Sequence, residues 1–116
     1  MKKVIVLLRT APYGLASGGE AFRLIIGLAG MGMDTTAVLV DDGVYCGIKD
    51  QKAESIEMKP LDQAYGQLSE FGAKLFIHKE SIEERGISHD RIIKAEFITT
   101  RDLANLVVKS DTVISF

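Results

Sequence analysis

The chain has 116 residues, 47% of them apolar and 26% charged, with a formal net charge of -2. A chain of that size is expected to form one domain over residues 1–116 and to bury roughly two thirds of its unfolded surface, so it folds without a staple. The pI of about 5.6 leaves no basic footprint for DNA or RNA. No apolar run approaches the ~20 residues that a membrane helix needs.

The opening "MKKVIVLLRT" has the charge pattern of a secretory leader, but its apolar run ends at Leu8 and Arg9, shorter than a leader's roughly 7–15 residues. It reads as a first strand. The single cysteine, Cys46, forms no internal disulfide, which fits a cytoplasmic location.

In chain order, "KVIVLL" (3–8) is apolar throughout, as expected of a strand covered on both faces. A loop (11–19) leads to a helix over 20–32, "EAFRLIIGLAGMG", ended by glycines. Its narrow polar face predicts contacts on both sides, one of them with a neighbouring subunit. A second strand (35–40) precedes a loop (41–55), followed by a helix (61–72) with Gly72 at its end. Strand three (73–78) runs directly into a short helix closed by Gly86. Strand four (95–100), a helix (101–109) and strand five (111–116) complete the chain. Thr99 and Asp102 have the spacing of a capping box. The alternation of β and α predicts a three-layer α/β sandwich: a five-stranded, mainly parallel, flavodoxin-like sheet with helices on both faces. Ligands of such sheets bind beyond the carboxyl ends of the strands, so the loops after the first three strands are the expected site.

Four features there carry chemistry or imitate it. The glycines of "TAPYGLASGGEAF" resemble a phosphate-cradling turn, but the P-loop and dinucleotide patterns are missing, and Glu20 would repel a phosphate. Cys46 lies in the loop after strand two, where an exposed or half-exposed thiol is expected; Lys49 and Lys52 would lower its pKa, but Asp41, Asp42 and Asp50 offset them. His78, at the end of strand three, reads either as a histidine bonded to backbone or carboxylate, or as a general base or proton carrier. His89, beside Asp90, reads as structural. No metal-ligand spacing and no cofactor motif is present, and "HKESIEERG" reads as a solvated helix face.

The first strand with "TAPYGLASGGEAFRLIIGLAGMG", then "TAVLVDDGVY", "IHKESIEERGI" and the terminal "SDTVISF", together resemble the DsrE/DsrF/TusC sulfur-relay family over essentially the whole chain. The resemblance implies a small α/β sandwich that assembles into trimers or hexamers, with itself or with other family members. It also implies a persulfide donor protein as a partner. In sulfur-carrying members the acceptor cysteine stands at the end of strand three, eight residues before the glycine of an Arg-Gly pair. Here that position is His78. An imidazole cannot hold a sulfane sulfur as a thiolate can, so the resemblance implies a non-catalytic or regulatory subunit. Two alternatives remain at this stage: a sulfurtransferase or persulfide carrier using Cys46 with help from His78, and a binding module for a small metabolite or anion.

Overall fold

The computed structural model describes residues 2–11, 17–48 and 61–116. Five strands form one sheet: β1 (Lys3–Leu8), β2 (Asp34–Leu39), β3 (Lys74–His78), β4 (Glu96–Ile98) and β5 (Thr112–Ser115). All four pairings are parallel, in the order β4-β3-β2-β1-β5. The connecting helices are α1 (Ser17–Gly30), α2 (Leu61–Gly66), α3 (Lys79–Glu84) and α4 (Thr100–Lys109). The α/β sandwich expected from the alternating pattern is the fold observed.

The two faces of the sheet carry different cores. On the first, Val4, Val6 and Leu8 of β1, Ala37 and Leu39 of β2 and Ile77 of β3 pack with Ala21 and Ile25 of α1 and Tyr65 of α2. Ile82 of α3 joins this core, as do Ile92 and Ile93 from the connection to β4. On the second face, Ile5, Val38, Val40 and Ile98 pack with Leu103, Leu106 and Val107 of α4. The alternation of odd and even positions along each strand produces this division. It also explains why the strands are apolar throughout: both of their faces are covered.

Several local details differ from the sequence reading. The helix expected over 20–32 begins three residues earlier, at Ser17, and ends at Gly30, with Gly32 turning the chain at φ +82°. The helix expected over 61–72 is α-helical only to Gly66 and tightens to a 3-10 turn over Leu68–Phe71. Gly72 does end it, in the left-handed conformation. The loop after β2 begins as a 3-10 segment, Asp41–Gly47. A Cβ at Gly43 would stand 1.8 Å from the Leu8 carbonyl oxygen, so only glycine lets this segment tuck under the end of β1. The rest of that loop, with Lys49, Asp50 and Lys52, and most of the glycine-rich loop after β1 lie outside the described residues.

Candidate functional site

Connections leave the sheet on different sides at the carboxyl ends of β3 and β4. The chain leaving β3 places Ile82, Ile92 and Ile93 on the first face, whereas β4 leads into α4 on the second. A crevice forms where neighbouring strands send their connections to opposite faces, and this is where open α/β sheets bind ligands. His78, the last residue of β3, stands there.

Its ring is held at both nitrogens. Nδ1 is 2.6 Å from the Ser81 hydroxyl, and Nε2 is 2.7 Å from the Thr100 hydroxyl. Ser81 is buried, and its oxygen already accepts the Asp41 N–H at 2.9 Å. Thr100 donates its own N–H to Glu80 Oε2 at 2.7 Å. That amide, and after it the Thr100 hydroxyl, hold the Glu80 carboxyl below its ordinary value. Donor and acceptor accounting then assigns the tautomer. If Ser81 O–H donates to Nδ1, then Nε2–H donates to Thr100, whose hydroxyl proton is left for Glu80, and every donor is satisfied. The opposite tautomer leaves the buried Ser81 proton without an acceptor. The four side chains therefore form one directed chain of hydrogen bonds ending on a carboxylate, which joins the ends of β2, β3 and β4.

That polarity decides against a nucleophile–base pair. With Nε2 carrying the proton, His78 donates to Thr100 and cannot remove its hydroxyl proton. One acceptor remains open: Glu80 Oε1 is buried, has no hydrogen-bond partner among the described residues, and lies 3.8 Å from His78 Nε2. The rim of the crevice is charged and paired. Arg85 donates to Asp42 Oδ1 at 3.0 and 3.2 Å and to the Ser81 carbonyl at 3.3 Å. Arg9 Nε meets Asp41 Oδ2 at 3.1 Å. Asp41 itself is the one described non-glycine residue with positive φ, at 50°.

Cys46 stands elsewhere. Expected to be exposed or half-exposed, it is fully buried in the core of the first face. The 3-10 segment that carries it turns inward beneath β1 instead of lying on the surface, which is why the loop-like composition misled. Burial pushes its thiol up to about 12. Its Sγ lies 4.0 Å from the Thr10 carbonyl oxygen. Phe76, two residues before His78 on β3, packs with the second core, whereas Cys46 belongs to the first. Among the described residues no hydrogen bond joins the thiol to the imidazole, whose ring nitrogens are both taken by hydroxyls. His89 also lies outside the crevice; its ring stacks on Phe97 at 4.6 Å. Among the described residues no group of His, Cys, Asp and Glu is arranged to hold a metal ion.

The arrangement of the whole chain identifies its relatives. A model of the DsrE/DsrF-like family matches residues 2–116. The chain belongs to the DsrE/DsrF-like family. The intracellular sulfur oxidation protein DsrF of Allochromatium vinosum is 27% identical over 132 residues, spanning 100% of this chain and 97% of that protein. Protein TusC of Buchnera aphidicola (subsp. Baizongia pistaciae) is 26% identical over 119 residues, with both chains fully covered. Among solved structures, the YchN protein of E. coli superimposes with a TM-score of 0.87 at 28% identity, again over the full length of both chains.

For this DsrE/DsrF-like chain, sequence reasoning located His78 but missed its partners. Glu80 and Ser81 were read as parts of a solvated helix face, and Thr100 as the last residue of strand four, whereas β4 ends at Ile98 and Thr100 opens α4. The one usable signal was positional: a hydroxyl directly after β4 must face the end of β3 wherever the two strands are neighbours.

Proposed function

We propose that this chain is a subunit of an intracellular sulfur relay that does not itself carry the sulfane sulfur. It works as a cytoplasmic homo- or hetero-oligomer, completing an assembly around family members whose cysteine stands at the end of the third strand. The observation that carries this reading is the state of Cys46, the chain's single thiol. It is fully buried in the core of the first face, with its pKa pushed up to about 12. A sulfur acceptor must be a thiolate that a donor persulfide can reach, and Cys46 meets neither condition. His78 fills the crevice with a satisfied hydrogen-bond chain, which suits an architectural role. The similarity to DsrF and TusC over the full chain supports the pathway.

The test is persulfide loading followed by intact mass measurement. Native protein incubated with a persulfidated donor is expected to gain no sulfur, while a mixture with a cysteine-bearing family member loads that member alone. A gain of one sulfur on the native chain that disappears in Cys46→Ser would sink the proposal.

A further inference from the structure

The second face of the sheet is covered by one helix, α4, which packs on it through Leu103, Leu106 and Val107. The helix starts at the carboxyl end of the sheet, where Thr100 meets His78, and its last turn reaches the amino ends of the strands. There a cleft of about 140 Å³ opens between helix and sheet. It lies at the opposite end of the sheet from the crevice of His78 and shares no residue with it.

The strand alternation that builds the second core also decides what lines this cleft. Ile5 and Phe76 from the sheet and Leu106 from the helix give it an apolar floor. Two residues earlier on the same strands, Lys3 and Lys74 share that face, and Lys109 joins them from the last turn of α4. All three lysines are exposed. Asp34 is the single carboxylate of the lining, and it stands 4.0 Å from the Lys74 ammonium. Lys3 and Lys109 make no ion pair among the described residues. Three ammonium groups thus share one opening with a single carboxylate.

Thr36 adds a buried donor. It lines the cleft and is only 7% exposed, yet its hydroxyl makes no hydrogen bond among the described residues. Its neighbour Thr35, also buried, donates to the Met33 carbonyl at 3.1 Å. A buried hydroxyl without a partner costs free energy, and the cleft it lines is where a partner can enter. In the strand register Thr36 stands between Ile5 of β1 and Lys74 of β3, where the apolar floor meets the charged mouth.

We propose that this cleft binds a small amphiphilic monoanion, a carboxylate carried on an apolar body of about six carbons. The carboxylate accepts from the Thr36 hydroxyl and lies among the three lysines, while the body covers Ile5, Phe76 and Leu106. Size sets the class. An apolar cavity of about 150 Å³ holds one benzene ring, so this cleft takes a short chain or a single ring and is too small for a nucleotide. Charge sets the sign, because a cation of the same shape would meet three ammonium groups. The site is independent of the sulfur chemistry and of the assembly proposed above.

Titration of the full chain with sodium hexanoate at constant ionic strength, followed through amide chemical shifts, tests the site. Saturable shifts are expected at Ile5, Thr36, Phe76 and Leu106, and none at Ala21 or Ile25 in the core of the first face. From acetate to hexanoate the affinity should rise about fourfold for each methylene buried. Hexylamine, with the same body and the opposite charge, should bind about tenfold more weakly than hexanoate. Lys109→Glu, a change on the surface, should weaken hexanoate binding several-fold with the melting temperature kept. Thr36→Val keeps the shape of the side chain, removes its hydroxyl and should weaken binding to a similar degree. The absence of saturable shifts, or hexylamine binding as tightly as hexanoate, overturns the proposal. So does a hexanoate affinity that both substitutions leave unmoved. The persulfide result is independent of every one of these outcomes.

Discussion

Cys46, inside the first core, and His78, at the carboxyl end of β3, illustrate two ways of treating a reactive side chain. The thiol is sealed by packing: it lies in an apolar core, its contact with the Thr10 carbonyl oxygen is a long one, and burial moves its pKa. The imidazole is held by hydrogen bonds to two hydroxyls, at a strand end close to solvent. Low dielectric suppresses the charged form in the first case, and donor geometry fixes one tautomer in the second. A residue type that is reactive in isolation is thus silenced twice, by unrelated means.

The comparison breaks most easily at the thiol. Raising a thiol pKa from 9.0 to about 12 lowers its thiolate fraction near neutral pH by about a thousandfold. Alkylation of native protein with iodoacetamide at pH 8 is therefore expected to run at least a thousandfold slower than in denaturant. The same shift sets an alkaline limit. The unfolded thiol ionises near 9 while the folded one resists until about 12, so stability falls as pH rises through that window. A native alkylation rate within tenfold of the denatured rate would mean that Cys46 is exposed in solution, and the sealed half of the comparison would be lost.

A smaller effect tests how firmly the other region is anchored. Thr100 reaches His78 because α4 begins at the right residue, and a capping box fixes that start. The Thr99 hydroxyl accepts the Asp102 N–H at 3.2 Å, and Asp102 Oδ2 accepts the Thr99 N–H at 3.5 Å. Thr99→Ala is expected to cost about 1 kcal/mol, lowering the melting temperature by about 4 °C in a domain of this size. Because the frayed turn holds Thr100, the amide of residue 100 should lose hydrogen-exchange protection while core amides of β1 and β2 keep theirs. Equal loss across the molecule would show that the crevice has no local stability of its own.

These two regions also mark how far the sequence could be read. The five strands were legible because they are apolar runs of β-branched residues, and Thr99 with Asp102 announced its cap. The start of α1 was missed because Ser17, Gly18 and Gly19 are poor helix formers that the packed body of the helix carries along. The burial of Cys46 was hidden by composition: "DDGVYCG" looks like a surface loop, and only the contact of Gly43 with the Leu8 carbonyl shows that it turns inward. Of the two hydroxyls that hold His78, Thr100 was hidden by distance along the chain, lying 22 residues away. That pairing depends on β3 and β4 being neighbours, and strand order is not written in local periodicity.

The smallest expected effect is the most specific to the crevice. Glu80 has its carboxyl held below the ordinary value, first by the Thr100 amide and then by the Thr100 hydroxyl. A carboxylate with a lowered folded pKa adds stability that is fully present above its unfolded value, near 4.3, and is lost as pH falls through the folded value. Wild-type protein should therefore lose part of its stability at acid pH, and Glu80→Gln should lack that component while keeping the neutral amide as a hydrogen-bond acceptor for Thr100. Denaturant unfolding at pH 7 and pH 3 measures it: the gap between wild type and variant should narrow on acidification. A gap between wild type and Glu80→Gln that stays the same at pH 7 and pH 3 would show that the carboxylate gains nothing from Thr100, and the chain from Ser81 would end at the Thr100 hydroxyl.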